Sequence, residues 1–117
     1  MIKFIVNGFE KIKKVPPDYP KCLYCEVDFK IIINDRVFFE EPNFPIYEFI
    51  NAINCWIDEK EDSSFEYVSM ETEDNPLISF IYDNKEWRIV SPWQLFESAD
   101  WFTKEEIVSA FESACSA

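Results

Sequence analysis

Carboxylates and thiols are the reactive side chains of this chain, and their surroundings limit the chemistry open to them. The sequence holds 23 Asp and Glu, four Cys, one Gly and no His. Without His it lacks the commonest general base and metal ligand, and with them every Ser–His or Cys–His pairing. A single Gly, Gly8, cannot build a glycine-rich phosphate loop. Cys22 and Cys25 have C-x-x-C spacing, but they open a run that reads as a strand, where residues three apart point to opposite faces. Joint metal ligation there needs a turn, and neither Cys55 nor Cys115 belongs to a second close pair that would complete a Cys₄ zinc site. Cys25 shares the parity of the apolar strand residues and reads as a small buried hydrophobe. A calcium loop wants acids at alternating positions around a Gly, which Glu71-Thr-Glu-Asp lacks. Paired carboxylates can do acid–base work where an apolar pocket raises one pKa, and no such pocket is legible. The expectation is a protein that is not an enzyme and uses neither cofactor nor metal.

The carboxylates are instead gathered into clusters. Ten lie between residues 58 and 86 (Asp58, Glu59, Glu61, Asp62, Glu66, Glu71, Glu73, Asp74, Asp83 and Glu86), against only Lys60 and Lys85. They fall into groups at 58–62, 71–74 and 83–86, where chain-reversal signals also fall, and the apolar runs between them look like buried strands. This predicts acid-bearing loops along one edge of a small sheet. Residues 1–36 carry a balance of +2 and residues 37–117 one of −14, for a net charge of −12. Such a field repels nucleic acid and membrane phosphates and speeds encounter with a basic protein. The plain alternative is a surface made acidic for solubility alone.

The elements that must position these acids follow from hydrophobic periodicity. A length of 117 residues, with 48% apolar and 18% aromatic content, supports one core and one domain spanning 1–117. Residues 1–21 read as an edge strand over Ile2–Val6, a candidate second strand through Ile12 and Val15, and a connector held extended by Pro16, Pro17 and Pro20. Gly8 marks a turn or bulge. From 22 to 33 the apolar residues Leu23, Cys25, Val27, Phe29, Ile31 and Ile33 alternate with polar ones, the period of a half-buried strand. Asn34-Asp35 is a two-residue turn tolerant of positive φ, and 36–41 returns as the partner strand with Val37 and Phe39 on the inner face. Pro42 and Pro45 are expected to end it, with Pro45 entering the first turn of a helix.

Ile46, Phe49, Ile50, Ile53, Trp56 and Ile57 then form one stripe on a helix reaching to about residue 60. Its last turn carries Asp58, Glu59 and Glu61, which oppose the helix dipole at about 0.3–1 kcal/mol each when exposed. Strands are expected at 65–70, 77–82 and 87–90, with a tight turn at Asp83-Asn84-Lys85. Residues 94–101 read as a short helix or an ordered loop. Thr103 and Glu106 form a capping box before a final helix, with Phe102 and Ile107 as its hydrophobic staple. The fold class is α+β, an antiparallel sheet of about five to six strands with two main helices packed on it, in the order β-β-β-α-β-β-β-α.

Trp56 and Trp87 fall at core positions, whereas Trp93 and Trp101 lie in the irregular segment beside Glu97 and Asp100. Two readings stand for the latter pair: packing of that segment, or exposed aromatics ringed by carboxylates as at an interface with a basic partner. With DEKED at 58–62, ETED at 71–74 and SPWQLFESADW at 91–101, the chain resembles the small acidic immunity proteins of bacterial toxin–immunity systems. The resemblance lies in architecture and charge over 22–117, with no motif to transfer residue by residue. It implies a non-catalytic module that occludes a basic toxin such as a nuclease, its carboxylates standing in for phosphates. The partner-binding residues it points to are Asp58, Glu59, Glu61, Asp62, Glu71, Glu73, Asp74, Trp93, Glu97, Asp100 and Trp101. A phage-type mimic of nucleic acid that blocks a DNA-binding enzyme stays open, as does a structural or regulatory module. No direct nucleic-acid or membrane partner is expected. The N-terminus lacks the apolar run of a signal peptide, which with four Cys leads to the expectation of a cytoplasmic protein with reduced thiols.

Overall fold

The computed structural model describes residues 1–8, 26–69 and 72–115. The strand expected through Ile12 and Val15, the expected proline connector, Cys22, Cys25 and Glu71 lie outside these residues. The described chain runs β1 (Ile2–Asn7), β2 (Glu26–Ile33), β3 (Arg36–Pro45), α1 (Ile46–Ile57), β4 (Phe65–Tyr67), β5 (Ile78–Asp83), β6 (Glu86–Val90) and α2 (Lys104–Cys115). Class and order are those expected. The six strands, however, form two antiparallel three-stranded sheets, β1-β2-β3 and β4-β5-β6, and not one.

Sheet one follows from alternation. Phe4, Val27, Phe29, Ile31 and Ile33 are buried, while Lys3 and Asp28 between them are exposed. Asn34 and Asp35 adopt φ of 51° and 65°, the left-handed pair that a two-residue hairpin requires. Gly8 closes β1 at φ 113°, a conformation that side chains rarely adopt. Strand β3 departs from the expected parity. Ile31 pairs with Phe39 but Ile32 pairs with Val37, so Phe38 is the extra residue of a bulge. Phe38 and Phe39 are consequently both buried, and Val37 moves to the outer face opposite Ile32. A second irregularity, opposite Asp28, accommodates Pro42 inside the strand. An edge strand with a bulge is where a sheet tolerates proline, so Pro42 bends β3 without ending it.

Helix α1 buries Ile46, Phe49, Ile53 and Trp56, and α2 buries Ile107, Phe111 and Ala114. Thr103 and Glu106 form the capping box: Glu106 N–H donates to Thr103 Oγ1 at 3.2 Å, and Thr103 N–H donates to Glu106 Oε1 at 3.2 Å. One aromatic core joins both sheets. The Phe49 ring lies 5.3 Å from Phe29, 5.4 Å from Tyr67, 6.0 Å from Phe65 and 6.2 Å from Phe111. Trp56 meets Phe80 and Trp87 edge-on at 5.4 and 5.6 Å. Tilted and edge-to-face contacts of this kind suit the ring quadrupoles. No helix among the described residues is long and apolar enough to cross a membrane.

Candidate protein-binding surface

The antiparallel path of β4, β5 and β6 decides where the acids go. Phe65 pairs with Phe80, and Asp83 pairs with Glu86, so the loop entering β4 and the turn leaving β5 share one end of the second sheet. Asp58, Glu59, Glu61 and Asp62 are exposed on that loop, and Asp83 and Glu86 are exposed on that turn. Tyr67 pairs with Ile78 at the opposite end, and there the β4–β5 link presents Glu73 and Asp74. The clusters expected along one edge are therefore divided between two ends about 17 Å apart, the length of a six-residue strand.

Backbone and indole hydrogen bonds hold the first group. Trp56 Nε1 and Trp87 Nε1 both donate to the carbonyl oxygen of Ser63, each at 2.9 Å. Tyr82 N–H donates to Ser64 Oγ at 2.9 Å, and the Ser63 hydroxyl donates to the Glu59 carboxylate. Both buried indoles are satisfied by one carbonyl of the acid-bearing loop, so the loop is fastened to α1 and to β6 at a single point. Lys104 opposes the acids at the end of α1: its ammonium donates to the Trp56 carbonyl at 3.1 Å and lies 4.7 Å from the centroid of the Trp56 ring. The cation that complements the α1 dipole comes from the other helix. Among the described residues only Lys30–Glu40 and Arg88–Glu97 form ion pairs, so the carboxylates at 58–62 and 83–86 are left uncompensated by direct contact.

At the other end Asn75 organises the loop, accepting from Ser69 N–H at 2.9 Å and donating to the carbonyls of Ser69 and Thr72 at 2.9 and 2.7 Å. Trp93 Nε1 donates to Asp74 at 2.8 Å, and the Trp93 ring lies parallel to Phe39 at 6.4 Å. Trp93 is thus a half-buried strut, the packing alternative of the two readings. Residues 91–101 form an ordered loop without a helix, running back beside β6. Leu95 N–H donates to the Phe38 carbonyl, and Phe102 exchanges two 2.8 Å backbone bonds with Trp87, so this segment ties the two sheets together. Glu97 accepts from Arg88 at 2.9 Å, and Asp100 accepts from Asn34 at 2.6 Å. Trp101 is 38% exposed.

Two residues escaped the sequence reading. Ile81 stands in an apolar run read as buried, yet is 43% exposed: on its face of β5 Ser79 is covered, whereas Ile81 and Asp83 are not. Ser63 organises the acid loop through its carbonyl, and main-chain acceptors leave no signal in a sequence. A groove of about 540 Å³ lies between β1 and α2, lined by residues such as Phe4, Val6, Ser109 and Ala110, and none of the candidate residues opens onto it. Among the described residues no group of Cys, Asp or Glu is placed to hold a metal ion. Desolvation pushes the Cys115 thiol up, which lowers its thiolate fraction at neutral pH.

The chain belongs to the family described as a domain of unknown function, DUF7878, whose model matches residues 6–117. No curated protein and no solved structure matches it.

Proposed function

We propose that this chain is a non-catalytic acidic binding module that neutralises a basic protein, in the manner of an immunity protein acting on a toxin such as a nuclease. The observation that carries the reading is the fastening of the 58–64 loop by two tryptophans, which presents Asp58, Glu59, Glu61 and Asp62 beside Asp83 and Glu86. A loop ordered before binding loses less entropy on association, and an uncompensated acidic surface accelerates encounter with a basic one. Its division between two ends of the sheet supports this reading over a nucleic-acid mimic, which needs carboxylates in rows at phosphate-like spacing. We place the activity in the cytoplasm, in keeping with the free thiols of Cys55 and Cys115.

The test is capture from native cell lysate at low salt with the chain as bait, followed by association kinetics. One stoichiometric basic protein is expected, binding faster than the neutral range of about 10⁵–10⁶ M⁻¹s⁻¹ and slowing steeply as salt is added. A captured partner whose association rate ignores ionic strength would show that the acids serve solubility only.

A further inference from the structure

The outer face of the β4-β5-β6 sheet carries two exposed apolar side chains, Ile81 and Trp101, on either side of Arg88. On β5, Phe80 is buried and Ile81 is 43% exposed; on β6, Trp87 and Ile89 are buried and Arg88 points outward opposite Ile81. Phe102 pairs with Trp87, so Trp101, one residue earlier, falls beside Arg88 on the outer side. Ile81, Arg88 and Trp101 therefore form a continuous row across three neighbouring segments. The guanidinium between the two apolar side chains is committed, donating to the Ser98 carbonyl at 2.6 Å and to Glu97 at 2.9 Å. Its charge is met by the Glu97 carboxylate in a surface ion pair. Around the row stand the exposed carboxylates of Glu66, Asp83 and Glu86.

An exposed Trp and Ile within an acidic rim fit the anatomy of a protein interface, with apolar anchors at the centre and charges at the margin that choose the partner. The charge also decides between occupants. A second copy would bring the same acids against this rim in a molecule already at −12. We propose that this face is the contact surface of the module, with Ile81 and Trp101 as anchors, and that its occupant is a basic protein surface bearing an aliphatic or aromatic side chain. This rests on the protein-binding reading above and adds to it a centre that is not acidic.

The experiment selects displayed peptides on the immobilised full chain from two libraries, one rich in Lys and Arg and one neutral. Binders are then measured on wild type, on an Ile81→Ser, Trp101→Ser double variant, on each single variant and on Leu95→Ser. Leu95 is more exposed than either Ile81 or Trp101, at 64%, and lies off this face. Trp101 lies outside the sheet, so its single variant remains informative if Ile81→Ser alters folding. Basic peptides carrying an apolar residue are expected to win, and to lose at least about tenfold in affinity on the double variant while Leu95→Ser binds as wild type. If basic peptides win but bind the double variant unchanged, and lose affinity only on an Asp58→Asn, Glu59→Gln variant, the face is wrong and the acidic-binder reading survives. If neutral peptides win equally, both fall.

Discussion

Lys104 stands at a point where three local effects oppose one another, and their magnitudes predict what its removal does. Its ammonium serves the carbonyl of Trp56 and the face of the Trp56 ring, at the end of a helix otherwise closed by Asp58 and Glu59. A hydrogen bond from a charged donor contributes about 1.5–3 kcal/mol when desolvated, and less for this half-exposed side chain. The cation over the ring adds about 0.5–1 kcal/mol. Against these, Lys104 opens α2, where a positive charge is unfavourable by about 0.3–1 kcal/mol. Lys104→Met keeps the apolar stem over Trp56 and removes the charge. It is expected to lower stability by about 1 kcal/mol, read as a lower urea midpoint at unchanged denaturant slope. An unchanged midpoint would mean that the α1 carbonyls are equally well served by water.

At the scale of elements, the β5–β6 hairpin carries a removable strain. Asn84 and Lys85 both hold positive φ, 48° and 67°, in the turn that the register Asp83–Glu86 demands. Asn tolerates this region, whereas a lysine there is disfavoured by about 1–2 kcal/mol. Lys85→Gly relieves the strain at the cost of a freer unfolded chain, about 0.5–1 kcal/mol, so a net gain of about 0.5–1 kcal/mol in thermal or urea unfolding is expected. A loss of stability would show that Lys85 is holding the neighbouring carboxylates together.

Both hairpin turns were legible in the sequence, Asn34-Asp35 by residue types that accept positive φ and Asp83-Asn84-Lys85 as a short polar break between two apolar runs. The α1 stripe and the Thr103–Glu106 box were legible for the same reason: period and capping are local. What escaped was set by contacts distant in sequence. The bulge at Phe38 answers to Phe96, whose ring meets it at 5.5 Å, and to the Leu95 N–H that takes its carbonyl. The partition into two sheets, bridged by Leu95 on Phe38 and Phe102 on Trp87, is likewise a matter of contacts distant in sequence. The same partition sends Asp74 to one end and Asp58 to the other, which no count of acids along the chain reveals.

For the whole molecule the decisive comparison is between its size and the reach of its charges. The principal extents are 43, 31 and 30 Å. At about 10 mM salt the screening length is about 30 Å, so nearly all of the acids repel one another across the fold; at about 150 mM it is about 8 Å, and only neighbours interact. The two ion pairs among the described residues are surface pairs whose partial exposure limits each to at most about 1 kcal/mol, too little to offset a net charge of −12. Unfolding spreads the charges apart, so repulsion weighs more heavily on the native state. Stability should therefore rise with sodium chloride between these two concentrations, seen as a higher unfolding temperature, while the association rate with a basic partner falls over the same range. Opposite responses to one variable would identify a single cause, the unscreened acidic field. If unfolding temperature instead fell with salt, attraction between the +2 segment 1–36 and the remaining −14 would outweigh the repulsion, and the net charge would be a poor guide to either property.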